Sequence, residues 1–241
     1  MEPDFVIGQI LAINCWCVSA RHSIMDIPMV QVFSFIILIV SVVIHEVSHG
    51  YAAYMQGDFT AYYQGRLTLN PLKHIDIVGS ILVPIITSLA GFPFGWAKPV
   101  PFNPYNLRNQ RWGELLVALA GPASNIIIAI IFGLILRVGT SLPDSFATLA
   151  ALVVLINIGL AIFNLIPIPP LDGSKILWGF LPFRFMRYRL ALERYSFLIV
   201  ILIIITPQFT QTLNFLMYFF TTHITGLSLE ELIRLIRGLY S

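Results

Sequence analysis

Two histidines and a glutamate stand in one turn of the stretch SVVIHEVSHGYAAYMQGD, residues 41–58. His45, Glu46 and His49 form H-E-x-x-H. On a helix, positions i and i+4 share a face, so both imidazoles can reach one metal ion while Glu46 beside them takes a proton from the attacking water. Zinc, one per chain, is the metal this pattern suits. The chain holds 5 His and 12 Asp plus Glu, and a chance match to three fixed positions has a probability of about 0.3%. The surrounding residues are apolar enough to cross a bilayer, where unpaired ionisable groups cost several kcal/mol and mark functional sites. Metal coordination would compensate that cost; the plainer alternative is a set of polar groups that bridge helices.

A catalytic zinc takes three protein ligands and keeps a position open. The extended pattern H-E-x-x-H-x-x-G-x-x-H fails here, because Ala52 and Met55 stand where it needs Gly and His, and no Glu follows Glu46 before Glu114. Asp58, His74, Asp76 and Asp172 remain as candidates for the third ligand.

The elements that must position these residues follow from composition. With 241 residues, 57% hydrophobic, 11% charged and a mean hydropathy of +0.84, the chain reads as an all-α polytopic membrane protein of one main domain. About four to five transmembrane helices are expected, with a re-entrant segment and irregular or small β-hairpin loops near the site. The net charge of +2 is scattered, which excludes a nucleic-acid surface. Cys15 and Cys17 form a C-x-C pair too close for a disulfide and too few for a zinc site.

Residues 1–29 read as an N-terminal extension whose start could equally be Met25 or Met29. The main domain spans 30–220. Its first span covers 30–55; 56–77 mixes Gly, Pro, Asn and aromatics as a loop with a small hairpin; 78–91 is too short to cross and re-enters. A proline-rich irregular stretch, 91–109, leads to spans at 112–137 and 146–166, and a further span covers 196–220 with a kink at Pro207. Residues 221–241 close the chain, with Ser228 and Glu231 in capping-box spacing, as an amphipathic helix on the membrane surface. Trp96, Trp112 and Trp178 read as interfacial anchors.

Lys98, Arg108 and Arg111 precede the second span and Lys175, Arg184, Arg187, Arg189 and Arg194 follow the third, so the positive-inside rule puts both regions in the cytoplasm. The first and third spans then run in the same direction. Asp172, just past the third, comes level with His45 and His49 in the second half of the first, which selects it as third ligand over a simple Asp-Gly turn.

H-E-V-S-H at 45–49, G-P-A-S-N at 121–125 and N-L-I-P-I-P-P-L-D-G at 164–173 together resemble the site-2 protease family of intramembrane zinc metalloproteases, peptidase family M50. The likeness runs from about residue 30 to 178. G-R-L-T-L-N-P-L-K-H-I-D-I-V-G-S and F-G-W-A-K-P-V-P are similar to its compact bacterial branch, and no stretch is long enough for a PDZ or CBS domain. The resemblance implies that His45, His49 and Asp172 hold zinc and that Glu46 is the general base for cleaving a peptide bond in the transmembrane segment of a membrane-protein substrate. It implies a multi-pass protein of the bacterial inner membrane, with its site toward the cytoplasmic side and lipids around it. It further suggests Asn125 and Asn164 as groups that bind an unwound substrate or an oxyanion, against capping or interhelix bonding. His74 is a weaker candidate for the same task, against a solvated loop histidine. Asp58 and Asp76 read as turn residues. A homo-oligomer is compatible with the sequence. A metal or ion transporter using the same histidines, and a non-catalytic binder of membrane helices, are the alternative readings; the first lacks a paired repeat and the second has no use for Glu46.

Overall fold

A computed structural model describes residues 27–82, 97–139, 142–182, 185–204 and 206–237. Among the described residues, three helices are long and apolar enough to cross a membrane: α1 (Ile27–Met55), α3 (Gln110–Val138) and α4 (Asp144–Asn164), with α2 (Thr60–Tyr63) a single turn between the first two. After α4 come the short helices α5 (Asp172–Phe180), α6 (Met186–Arg194) and α7 (Ser196–Ile204), then α8 (Pro207–Thr225) and α9 (Leu229–Arg237). α7 and α8 qualify as a fourth span if taken together, and they are bent by 75° at their break. Pro207 is the first residue of α8, where its missing N–H costs nothing.

Contacts along the helices fix their directions. α3 runs opposite to α1, because Asn125 meets His45, Val117 meets His49 and Gly113 meets Gln56. α4 runs with α1: Asn157 reaches Ser41, and Asp172, beyond the end of α4, reaches His45 and His49. This is the common direction that the depth argument requires. On α1, Ser41, His45 and His49 are buried and four residues apart, a polar stripe turned toward α3 and α4. Val32, Phe33, Phe35, Ile36, Leu38 and Val40 on the same helix are exposed apolar groups, as a surface meeting acyl chains requires.

Away from the histidines the bundle is held by apolar packing. Leu152, Val154, Leu155 and Ile158 of α4 pack with Ala129 of α3, Met217 of α8 and Leu229, Leu232 and Ile236 of α9. The capping box forms: Ser228 N–H donates to Glu231 Oε2 at 2.6 Å and Glu231 N–H donates to Ser228 Oγ at 3.2 Å. The amphipathic α9 does not turn its apolar stripe to lipid, as its sequence suggests. That stripe is buried against α4, and Thr148 Oγ1 donates to Leu235 O at 3.1 Å. Periodicity reports that a helix has an apolar face, and protein or lipid satisfies it equally.

Residues 56–77 form no hairpin. α2, a 3₁₀ turn at Pro71–Lys73 and the start of a π-helix, Ile77–Leu82, occupy the segment. Pro71 at the first position of its turn and Asn70 accepting from Leu72 N–H favour a capped turn over a strand. The re-entrant stretch expected at 78–91 lies outside the described residues from position 83 on, as do Trp96, Cys15 and Cys17.

Candidate metal centre and active site

Three elements bring the site together. His45 and His49 come from α1, Asp172 from the first turn of α5, and α3 forms the floor. His45 Nε2 and His49 Nε2 lie 3.0 Å apart, and each is 3.1 Å from Asp172 Oδ2. All three residues are buried. The other ring nitrogens decide what meets here. His45 Nδ1 lies 2.6 Å from Asn125 Oδ1 and His49 Nδ1 lies 2.7 Å from the carbonyl of Val117. Both acceptors lack a proton, so each imidazole donates from Nδ1, and the neutral ring offers Nε2 as a lone pair. With both rings neutral, two imidazole lone pairs and a carboxylate oxygen converge on one point. Such a set is unfavourable by itself and suits a divalent cation; its two nitrogens and one oxygen are a donor set that zinc accepts.

Small residues make the convergence sterically available. A Cβ added at Gly121 of α3 would lie 2.6 Å from His45 Nε2 and closer still to His49 Nε2, so the helix passes the imidazoles only because that position has no side chain. Gly173 has the same role behind Asp172: a Cβ there would collide with the carbonyls of Leu165 and Ile166, where the chain folds back after the proline run. These contacts account for the glycines of G-P-A-S-N and of the D-G pair.

A chain of amides continues from the site into the bundle. Asn125, fully buried, donates from Nδ2 to Asn157 Oδ1 at 2.8 Å, and Asn157 donates to Ser41 Oγ and to Val153 O, both at 2.9 Å. Asn125 thus bonds His45 on one side and Asn157 on the other. The sequence patterns do not single out Asn157; an amide at the middle of an apolar span was the available signal. Lys175 Nζ, one turn on from Asp172, lies 3.3 Å from Asp172 Oδ1.

Glu46 is half-buried, with Oε2 accepting from the backbone N–H of Val100 at 2.9 Å. The stretch that holds Val100 therefore borders the site at Glu46.

The remaining candidates bond to other groups. Asn164 donates from Nδ2 to Leu160 O at 2.9 Å, a bond inside its own helix. His74 is buried, in contrast to a solvated loop histidine, with Nε2 2.9 Å from Thr68 O. Asp76 accepts from Gly79 N–H at 3.1 Å. Asp58, 1% exposed, gathers Thr60 N–H and Oγ1–H, Asn103 N–H and Asn106 Nδ2–H. Burial pushes its carboxyl up, but the hydrogen bonds from Thr60, Asn106 and Asn103 outweigh this and hold it below the usual carboxylate range. It latches residues 103–106 to the end of α1. Among the described residues, His45, His49 and Asp172 form the one group with metal-ligand geometry.

The profile of peptidase family M50 matches residues 139–207, a stretch that contains Asp172. The protein named "Putative zinc metalloprotease YwhC" from Bacillus subtilis is 41% identical over 180 residues, covering 71% of this chain and 80% of its own length. Rip2 of Mycolicibacterium smegmatis, which carries the same description, is 31% identical over 206 residues, 83% of this chain and 78% of that one. MJ0611 of Methanocaldococcus jannaschii, again so described, is 29% identical over 164 residues, 64% of this chain and 75% of that one. No solved structure matches. The fold and the site define an integral, multi-pass membrane protein of the peptidase class. The chain belongs to peptidase family M50.

Proposed function

We propose that this protein is an intramembrane zinc metalloprotease that hydrolyses peptide bonds in or near the transmembrane segments of other membrane proteins. The observation that carries this reading is the convergence of His45 Nε2, His49 Nε2 and Asp172 Oδ2 within 3.1 Å of one another, with both Nδ1 atoms tied to oxygen acceptors. His45, His49 and Asp172 would hold one zinc ion. When bound, zinc supplies a Lewis acid that polarises a carbonyl and acidifies water.

The chain's own residues supply the rest. Asn125 and the Val117 carbonyl keep the two imidazoles in the tautomer and orientation that offer Nε2. Glu46, the general base, takes a proton from the attacking water and returns it to the leaving amine. Its partial exposure leaves room for that water, and the Val100 N–H fixes one carboxylate oxygen so that the other is free to act. Burial between α1, α3 and α4 keeps the site apart from bulk lipid. A substrate helix must unwind before its carbonyls can reach such a site, and the non-helical residues 97–103 and 165–171 offer backbone that can receive it. The basic residues before α3 and after α4 support placing the site toward the cytoplasmic side, and the relatives from Bacillus subtilis and Mycolicibacterium smegmatis support a bacterial cell membrane.

Cleavage of a labelled transmembrane peptide in proteoliposomes tests this. Wild type should cut it, with loss of activity on chelation, and Glu46→Gln should fall by on the order of 10³-fold. Wild-type rates from Glu46→Gln would remove the reading, and metal flux without cleavage would favour transport.

A further inference from the structure

Arg66 lies in the loop between α2 and the 3₁₀ turn at Pro71–Lys73, on no helix and, among the described residues, in no charge pair. It is 7% exposed, and a guanidinium so deeply buried is costly unless its donors are used. Nη1 donates to the carbonyl of Lys73. Nη2 donates to the carbonyls of Lys98 at 2.9 Å and Pro99 at 3.2 Å. The partners belong to two separate stretches of chain, and the planar fork of Arg joins them. A backbone bond runs parallel to this tie: Lys98 N–H donates to His74 O at 2.8 Å.

The stretch so fixed is the one that meets the base. Val100 is the next residue after Pro99, and its N–H is the donor to Glu46. The same wall leans on α1 at Gly50, where an added Cβ would strike Leu67 and lie 2.8 Å from Val100 Cγ1. Residues 66–67, 73–74 and 98–100 thus form one irregular layer against the Glu46 face of α1. Among the described residues, two of its three hydrogen bonds across the gap in sequence are made by Arg66.

We infer that Arg66 is a positioning residue for the general base: it holds the carbonyls of Lys73, Lys98 and Pro99 so that the Val100 N–H stays on Glu46. The inference rests on Glu46 being that base. It places no part of Arg66 at the metal or the substrate, and its effect passes through one backbone hydrogen bond.

A double-mutant cycle tests this in the full-length protein in proteoliposomes, using Arg66→Gln, Val100→Pro, which removes the N–H, and both together, beside wild type and Glu46→Gln. Arg66→Gln should lower kcat by on the order of 10²-fold, as displaced catalytic groups do. KM should stay within about threefold and zinc content should be unchanged, since Arg66 bonds to the carbonyls of Lys73, Lys98 and Pro99 and to none of His45, His49 and Asp172. Val100→Pro should cost about as much, and the double variant should be no slower than the slower single one, because both remove the same hydrogen bond. A wild-type kcat in Arg66→Gln, or losses that multiply in the double variant, would overturn the inference. Where Arg66→Gln does not fold, Arg66→Lys takes its place in the same cycle and is read by the same two criteria. Active wild type with inactive Glu46→Gln keeps the protease reading whatever the cycle gives, so the two fail separately.

Discussion

The two ends of this bundle are built on different principles. Around His45 and His49 the helices meet through directed polar contacts: an aspartate, two asparagines, a serine and a backbone carbonyl, with glycines where the approach is closest. Around Leu152, Met217 and Leu232 they meet through side chains with no direction to satisfy. The first kind of packing fixes atoms to within a few tenths of an ångström and tolerates little change. The second supplies stability and can repack. The difference shows how a membrane protein can keep bare lone pairs facing one another: the apolar end holds the helices together, which leaves the polar end free to be arranged for binding.

The sharpest way to break the contrast is at Gly121. Gly121→Ala should lower zinc affinity by at least about 10²-fold, since its Cβ would occupy space beside both Nε2 atoms, and competition with a fluorescent chelator measures it. Leu232→Ala at the other end should do the reverse. It should cost about 2–4 kcal/mol in thermal or denaturant unfolding and leave zinc affinity unchanged. Asn157→Leu asks how far the polar arrangement extends. Loss of its bond to Asn125 should weaken zinc binding by about tenfold, the range seen when a ligand's partner is removed, with little change in unfolding.

Asp58→Asn gives the smallest effect, about 1–2 kcal/mol of stability at neutral pH from weakened hydrogen bonds to residues 60, 103 and 106. Its sign with pH is fixed. The folded carboxyl titrates below its unfolded value, so its contribution is full above the unfolded pKa of about 3.9 and is lost as pH falls through the folded one. The gap between Asp58→Asn and wild type should therefore close below about pH 4 in pH-dependent unfolding.

Much of the site was legible because its chemistry is local or topological. H-E-x-x-H is contained within one turn, and Asp172 follows from counting spans and basic residues. The supporting groups were not legible for a physical reason: the bonds Asn125 makes to His45 and Asn157 depend on which helices face it. Asn157 and Arg66 act across 32 residues each, to Asn125 and to Lys98, and no periodicity reports such pairs. α9 misled in the opposite way, since a strong apolar stripe identifies a buried face without naming its cover. The residues of 56–77 alternate like a hairpin, yet Asn70 and Pro71 start a capped turn.

The most direct measurement is zinc content of the detergent-purified protein, wild type beside Asp172→Ala. About one zinc per chain in the wild type and a marked loss in Asp172→Ala are expected if two imidazoles and this carboxylate are the ligand set. A folded wild type without zinc, or full retention in Asp172→Ala, would contradict it.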